Sequence, residues 1–179
     1  ASAAHLEFRT TVDWRENHKM LKVNFPVNVH SEDALHEIQF GHVSRPTHAT
    51  RPYDANRFEV CNQKWTALVE GGQRGAAIVN DCKYGVNVEG NSMNLTLLRS
   101  PLAPDHWADK GIHHFTYAFT IWEPEDEPNY VNLAVTLGYE LNYPVQMAAV
   151  ALVSAPLFLV FVFLRKYIMS GVSRSGIKG

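Results

Sequence analysis

The stretch Leu21-Lys22-Val23-Asn24-Phe25-Pro26-Val27-Asn28-Val29 constrains the fold more than any other segment of the chain. Leu21, Val23, Phe25, Val27 and Val29 fall on one side of an extended backbone, and Lys22, Asn24, Pro26 and Asn28 on the other. A period of two is that of a strand with one buried face, whereas a helix would scatter these side chains around its axis. Pro26 has no N–H to give a neighbour, so the strand belongs at a sheet edge or a bulge. Further strands are expected at 35–43, 57–60, 76–80, 93–99 and 113–122, the last with Phe115, Tyr117, Phe119 and Ile121 on one face. Turns rich in Gly, Asn, Asp and Pro separate them, and long helical patterns are almost absent. Together they predict a mainly β fold, an antiparallel β-sandwich.

The sandwich occupies only part of the 179 residues. Up to about residue 145 the sequence is mixed and polar, but 141–164 carries no charge, and 147–164 reads MAAVALVSAPLFLVFVFL, with eleven Leu, Val or Phe. At 1.5 Å per residue the uncharged stretch would reach about 36 Å as a helix, against about 30 Å for a hydrocarbon core. A single C-terminal transmembrane-length α-helix, contacting the membrane through 147–164, is therefore expected. Arg165, Lys166, Arg174 and Lys178 follow without an acid, which is the pattern of a cytoplasmic flank.

Other readings are narrower. A formal charge of −2 with scattered Lys and Arg gives no basic footprint, so nucleic acid is excluded as a partner. Cys61 and Cys82, without a charged-then-apolar leader, fit a reducing cytoplasm. The nine histidines include His42 and His48 in GHVSRPTH and the pair His113-His114, but neighbours on a strand face opposite ways and no HExxH spacing occurs. No metal site is expected. Glu32-Asp33 read as a turn, and Glu123 to Glu127 as a solvated acidic loop, so no pair of facing catalytic carboxylates is evident. Asn94-Leu95-Thr96 matches a glycosylation sequon but falls within an expected strand.

Read in order, the segments VDWRENHKMLKVNFPVNV, HEIQFGHVSRPTHAT, RFEVCNQKWTALVEGGQRGAAIVNDCKYGVNVEGNSMNLTLLRSPLAPD, ADKGIHHFTYAFTIW and GYELNYPV resemble the C-terminal β-domain of glycoside hydrolase family 38, the α-mannosidases. The resemblance covers about residues 8–145. It implies a supporting part of a zinc-dependent retaining α-mannosidase acting on mannoside glycans. The zinc ligands and the nucleophilic aspartate of such enzymes lie in a domain with no matching motif here. No catalytic residue, metal ligand or cofactor is therefore assigned to this chain, and zinc is implied only for a complete enzyme.

The resemblance also gives NDCKYG, at 80–85, two readings. In one, the turn faces the sugar pocket of the catalytic domain, with Asn80, Asp81, Lys83 and Tyr84 as substrate-facing candidates. In the other, Asn80-Asp81 cap a surface bend and Gly85 takes a positive φ.

Beyond residue 145 the resemblance changes. The segment 146–179 looks like the last transmembrane helix and basic tail of a maltose-type sugar ABC transporter permease. The combined expectation is an incomplete sandwich over 1–145, cytoplasmic and inactive alone, joined to a helix that would sit in an inner or plasma membrane. Two other functions remain open: a membrane transport component that partners ABC transporter subunits, and a membrane-anchored sugar-binding module.

Overall fold

The computed structural model describes residues 5–140, 150–156 and 158–163. The chain divides into two compact units, 1–141 and 142–179. The first is built from ten strands. These are β1 (His5–Trp14), β2 (Met20–Pro26), β3 (Asp33–Ile38), β4 (Gly41–Pro46), β5 (Val60–Cys61), β6 (Trp65–Glu70), β7 (Arg74–Asn80), β8 (Gly85–Glu89), β9 (Ser92–Arg99) and β10 (Gly111–Trp122). Two short helices, α1 (Pro52–Ala55) and α2 (Tyr130–Ala134), join them, and a π-helical turn over Val135–Glu140 follows α2. The strands form a six-stranded sheet, ordered β1-β10-β7-β6-β3-β4, and a four-stranded sheet, ordered β2-β9-β8-β5, and every pairing is antiparallel.

The β2 pattern works as its alternation requires. Leu21, Val23, Phe25, Val27 and Val29 join the core between the sheets with Leu68, Ile78, Leu95 and Phe115. Pro26 ends β2, which is an edge strand. Stacked rings bind the layers: Phe25 of the small sheet lies 4.8 Å from Phe119 of the large one, at an interplanar angle of 5°. Offset aromatic pairs of this kind contribute about 0.5–1.5 kcal/mol beyond the area they bury.

The large sheet is buried on both faces. Leu68, Ala76, Ile78 and Tyr117 face the small sheet, whereas Trp65, Ala67, Ala77, Val79, Ala118 and Trp122 pack with Leu133, Ala134 and Leu137 of the helical segment. Continuous apolar runs replace alternation where both faces are dry. The expected strand at 76–80 is thus a piece of β7, while β6 escaped prediction.

Four expectations require correction. The expected strand at 57–60 is a turn after α1 in which only Val60 pairs, as the first residue of β5. The stretch 35–43 is a hairpin, β3–β4, that turns at Gln39-Phe40, where Phe40 takes φ +64° ahead of Gly41. Asp33 opens β3 and does not belong to a turn with Glu32. Among the described residues, the membrane-length helix expected over 147–164 is not found. The described helical runs are 150–156 and 158–163, with exposed side chains, and no described helix is long and apolar enough to cross a membrane. Residues 147–149, 157 and 164, together with the basic tail, lie outside the described residues.

Between the sheets lies a small polar cluster. His36 of β3 and Thr66 of β6 are cross-strand partners, and His36 Nδ1 lies 3.1 Å from Thr66 Oγ1. Asn62 Oδ1 accepts from the Thr66 hydroxyl at 2.8 Å in the amide orientation that lets its nitrogen donate to Lys83 O (3.3 Å) and Tyr84 O (3.2 Å). All three side chains are buried, so each bond offsets a desolvation cost.

Candidate functional site

Residues 80–85 connect strands of different sheets, since β7 belongs to the large sheet and β8 to the small one. A hairpin would satisfy its own backbone, but a crossing between sheets cannot, so side chains must do so. This accounts for much of the polarity of NDCKYG.

Asn80 is fully buried at the end of β7. Its Nδ2 donates to Gln63 O (3.4 Å) and Lys64 O (3.3 Å), and its Oδ1 accepts the N–H of Lys83, three residues on, at 2.6 Å, which closes the bend. Asp81 extends the β7–β10 ladder by one step. Its N–H donates to Thr116 O at 3.1 Å, and its Oδ2 accepts the Thr116 N–H at 2.8 Å. Asp81 O accepts from Lys64 Nζ, and Asp81 Oδ1 is buried without a hydrogen-bond partner. Burial lowers the Lys64 pKa, against the opposing pull of Asp81, Cys82 and Glu37.

The remaining residues face outward to differing extents. Cys82 is exposed as a residue, yet burial of the thiol and its hydrogen bond with Asp81 push its pKa up to about 11. The thiol therefore stays protonated and a poor nucleophile at neutral pH. Lys83 Nζ reaches over the Phe115 ring, 4.2 Å from its centroid. Tyr84 is 53% exposed, and its backbone carbonyl accepts the Asn62 N–H at 2.9 Å. Gly85 does not take a positive φ. Its role is steric, because an added Cβ would lie 3.1 Å from both Thr96 Cβ and Glu59 Oε1.

The four candidates thus separate into two pairs. Asn80 and one face of Asp81 build the turn, while Lys83 and Tyr84 are carried on it. Sequence reasoning missed the supports, Asn62, Lys64 and Thr116, since nothing in the sequence around them signals this role. Asn80→Ala should lower stability by about 2–3 kcal/mol, because it leaves buried backbone groups unpaired. Urea unfolding would measure that loss, and faster hydrogen exchange at the Lys83 amide would locate it.

Among the described residues, no group of three or more His, Cys, Asp or Glu side chains could hold a metal ion. His113 reaches Asp109 O at 2.8 Å and His114 reaches Thr11 Oγ1 at 2.9 Å, so the adjacent pair diverges.

Residues 1–107 match the family model described as "Glycosyl hydrolases family 38 C-terminal domain". The chain belongs to this family. The family 38 chain is 46% identical over 140 residues to human alpha-mannosidase 2C1, a match covering 78% of this chain and 13% of the relative. Over 144 residues it is 42% identical to the alpha-mannosidase of Saccharomyces cerevisiae, covering 80% of this chain and 13% of that protein. Alpha-mannosidase G of Dictyostelium discoideum is 47% identical over 117 residues, 65% of this chain and 11% of its own. The family 38 chain therefore spans about an eighth of the length of these relatives. Its fold is that seen in an alpha-mannosidase from Enterococcus faecalis V583, with a TM-score of 0.61 at 20% identity over 69% of this chain and 15% of that one.

Proposed function

We propose that the sandwich serves as the supporting β-domain of an α-mannosidase, presenting the turn at 80–85 to the sugar pocket of a catalytic domain. The observation that carries this reading is how the turn is held. Asn80, Asp81, Asn62 and Lys64 tie it to both sheets, leaving the Tyr84 hydroxyl and one cation, Lys83, on a rigid mount. Groups fixed in this way orient sugar hydroxyls at little entropic cost. The kinship with alpha-mannosidases supplies the substrate class, terminal α-mannosides.

In this reading the chain contributes binding and orientation. Hydrolysis and the zinc it requires belong to another part of a complete enzyme. The transporter reading has no such support, since the relatives described above are mannosidases.

Replacing Lys83 and Tyr84 together with alanine in a complete homologous mannosidase should lower kcat/KM about tenfold, a loss of about 1.4 kcal/mol in transition-state binding. The zinc content and thermal midpoint of that enzyme should be unchanged. Unaltered kinetics would leave the turn with a purely structural role.

A further inference from the structure

A second site lies away from the turn, where the β3–β4 hairpin, α1 and β8 surround a cleft of about 40 Å³ that opens into a wider outer groove. His36, Arg45, His48, Asp54, Arg57 and Asn87 line it. Its walls are cationic and largely uncompensated. Arg45 is half-buried and donates to Cys61 O at 3.2 Å. Arg57 lies against the Tyr53 ring, 5.3 Å from its centroid. Among the described residues neither guanidinium has a carboxylate within 4.0 Å. Burial is the main cause of a lowered Arg45 pKa, and repulsion from Arg57 adds to it.

The acids nearby do not neutralise these charges. Asp54 is held by Arg51, whose Nε donates to Oδ2 at 2.9 Å and whose Nη2 donates to Oδ1 at 3.4 Å. Glu89 sits exposed on the outer groove, and the exposed Glu32 carboxylate lies 3.6 Å from His48 Nε2. A partly desolvated guanidinium without a counter-charge is unfavourable, and a bound anion would relieve it.

His36 adds a specific demand. The Thr66 hydroxyl donates to Asn62 Oδ1, so the Thr66 oxygen accepts from His36 Nδ1–H. The other ring nitrogen, Nε2, then carries a lone pair and needs a donor. A ligand suited to this cleft therefore presents negative oxygens to the arginines and one O–H to the histidine.

We propose that the cleft binds a phosphate group, free or carried on a sugar, with Arg45 and Arg57 holding charged oxygens and His36 Nε2 accepting a ligand hydroxyl proton. Inorganic phosphate retains a P–O–H at neutral pH, whereas sulfate has no proton and would set a bare oxygen against the Nε2 lone pair. The site does not depend on the mannosidase reading.

Isothermal titration of the whole chain at pH 7 and constant ionic strength should show saturable binding of inorganic phosphate, with sulfate at least tenfold weaker. Arg57→Gln should weaken phosphate binding at least tenfold without changing the thermal midpoint of the free protein. Because Arg45 also supports Cys61, Arg57 is the cleaner test. A hexose 6-phosphate that binds more tightly than inorganic phosphate would identify a phosphorylated sugar as the ligand; the opposite order would identify free phosphate. Equal affinity for sulfate and phosphate, equal binding by Arg57→Gln, or no saturable heat would overturn the proposal.

Discussion

Gly75→Ala is expected to destabilise the sandwich by about 3 kcal/mol or more, a large fraction of the roughly 5–15 kcal/mol that holds a domain of this kind together. Gly75 is the second residue of β7, opposite Trp122 on one side and Val69 on the other. A methyl group there would lie 2.2 Å from Trp122 Cζ2 and 2.5 Å from Leu68 O. The carbonyl belongs to the backbone of a central strand and has no rotamer to yield. Trp122 is itself buried, with its ring 5.2 Å from that of Tyr130, so it cannot swing aside without uncovering the outer core. Gly41→Ala is the control, since an added Cβ at that position meets nothing within 4 Å. Urea unfolding of both variants beside the parent makes the comparison. Equal midpoints for parent and Gly75→Ala would show that the strands separate more easily than their geometry implies.

Acidification should weaken the fold well before the carboxylates titrate. His36 is buried between the sheets, and burial foremost, with the Arg45 charge second, lowers its pKa from 6.5 to about 4. The unfolded chain takes up this proton near pH 6.5, but the folded chain resists it until about pH 4. The stabilisation is therefore complete above 6.5 and is lost as the pH falls toward 4, by about 3 kcal/mol in all. Asp13, Asp54 and Glu70 also have lowered pKa values, each through hydrogen bonds, the first two to an arginine side chain and Glu70 chiefly to the His30 backbone. Their contributions fade in a more acidic window. Unfolding free energies measured at intervals from pH 7 to pH 4 should slope downward in the parent and flatten in His36→Gln. A flat parent profile would mean that the imidazole gains a proton in the folded state without penalty.

Alternation was legible in β2 and β9, each with one wet face, and the dry β7 was found from its apolar run, whereas β1 and β8 were missed despite their wet faces. β2 showed its alternation openly, and Pro26 marked its edge position. In β10, Phe115, Tyr117 and Phe119 fell on the inner face as expected, although the opposite face, with Ala118 and Trp122, is dry as well. Where both faces are dry, as in β6, periodicity carries no signal, and Trp65-Thr66-Ala67-Leu68 passed unnoticed. The hairpin at 35–43 looked like one strand because Gln39-Phe40-Gly41 is not a strong turn sequence. The turn at 80–85 stood out by its chemistry, but its supports did not. Gln63 is 17 residues from Asn80, and Thr116 is 35 from Asp81; only the strand order of the large sheet brings them together.

The large sheet, with a core on each side, also sets where the sequence is free to drift. In β6, β7 and β10 each odd-numbered side chain answers to one neighbour layer and each even-numbered one to the other, so successive positions face independent steric vetoes. Small side chains fill positions in each layer, Ala76 toward the small sheet and Ala67, Ala77 and Ala118 toward the helical segment, and larger replacements would have to be matched on the facing element. Tolerance is thereby pushed outward, to the rims at β2, β4 and β5 and to the loops, so novelty can accumulate at the periphery while the centre stays fixed.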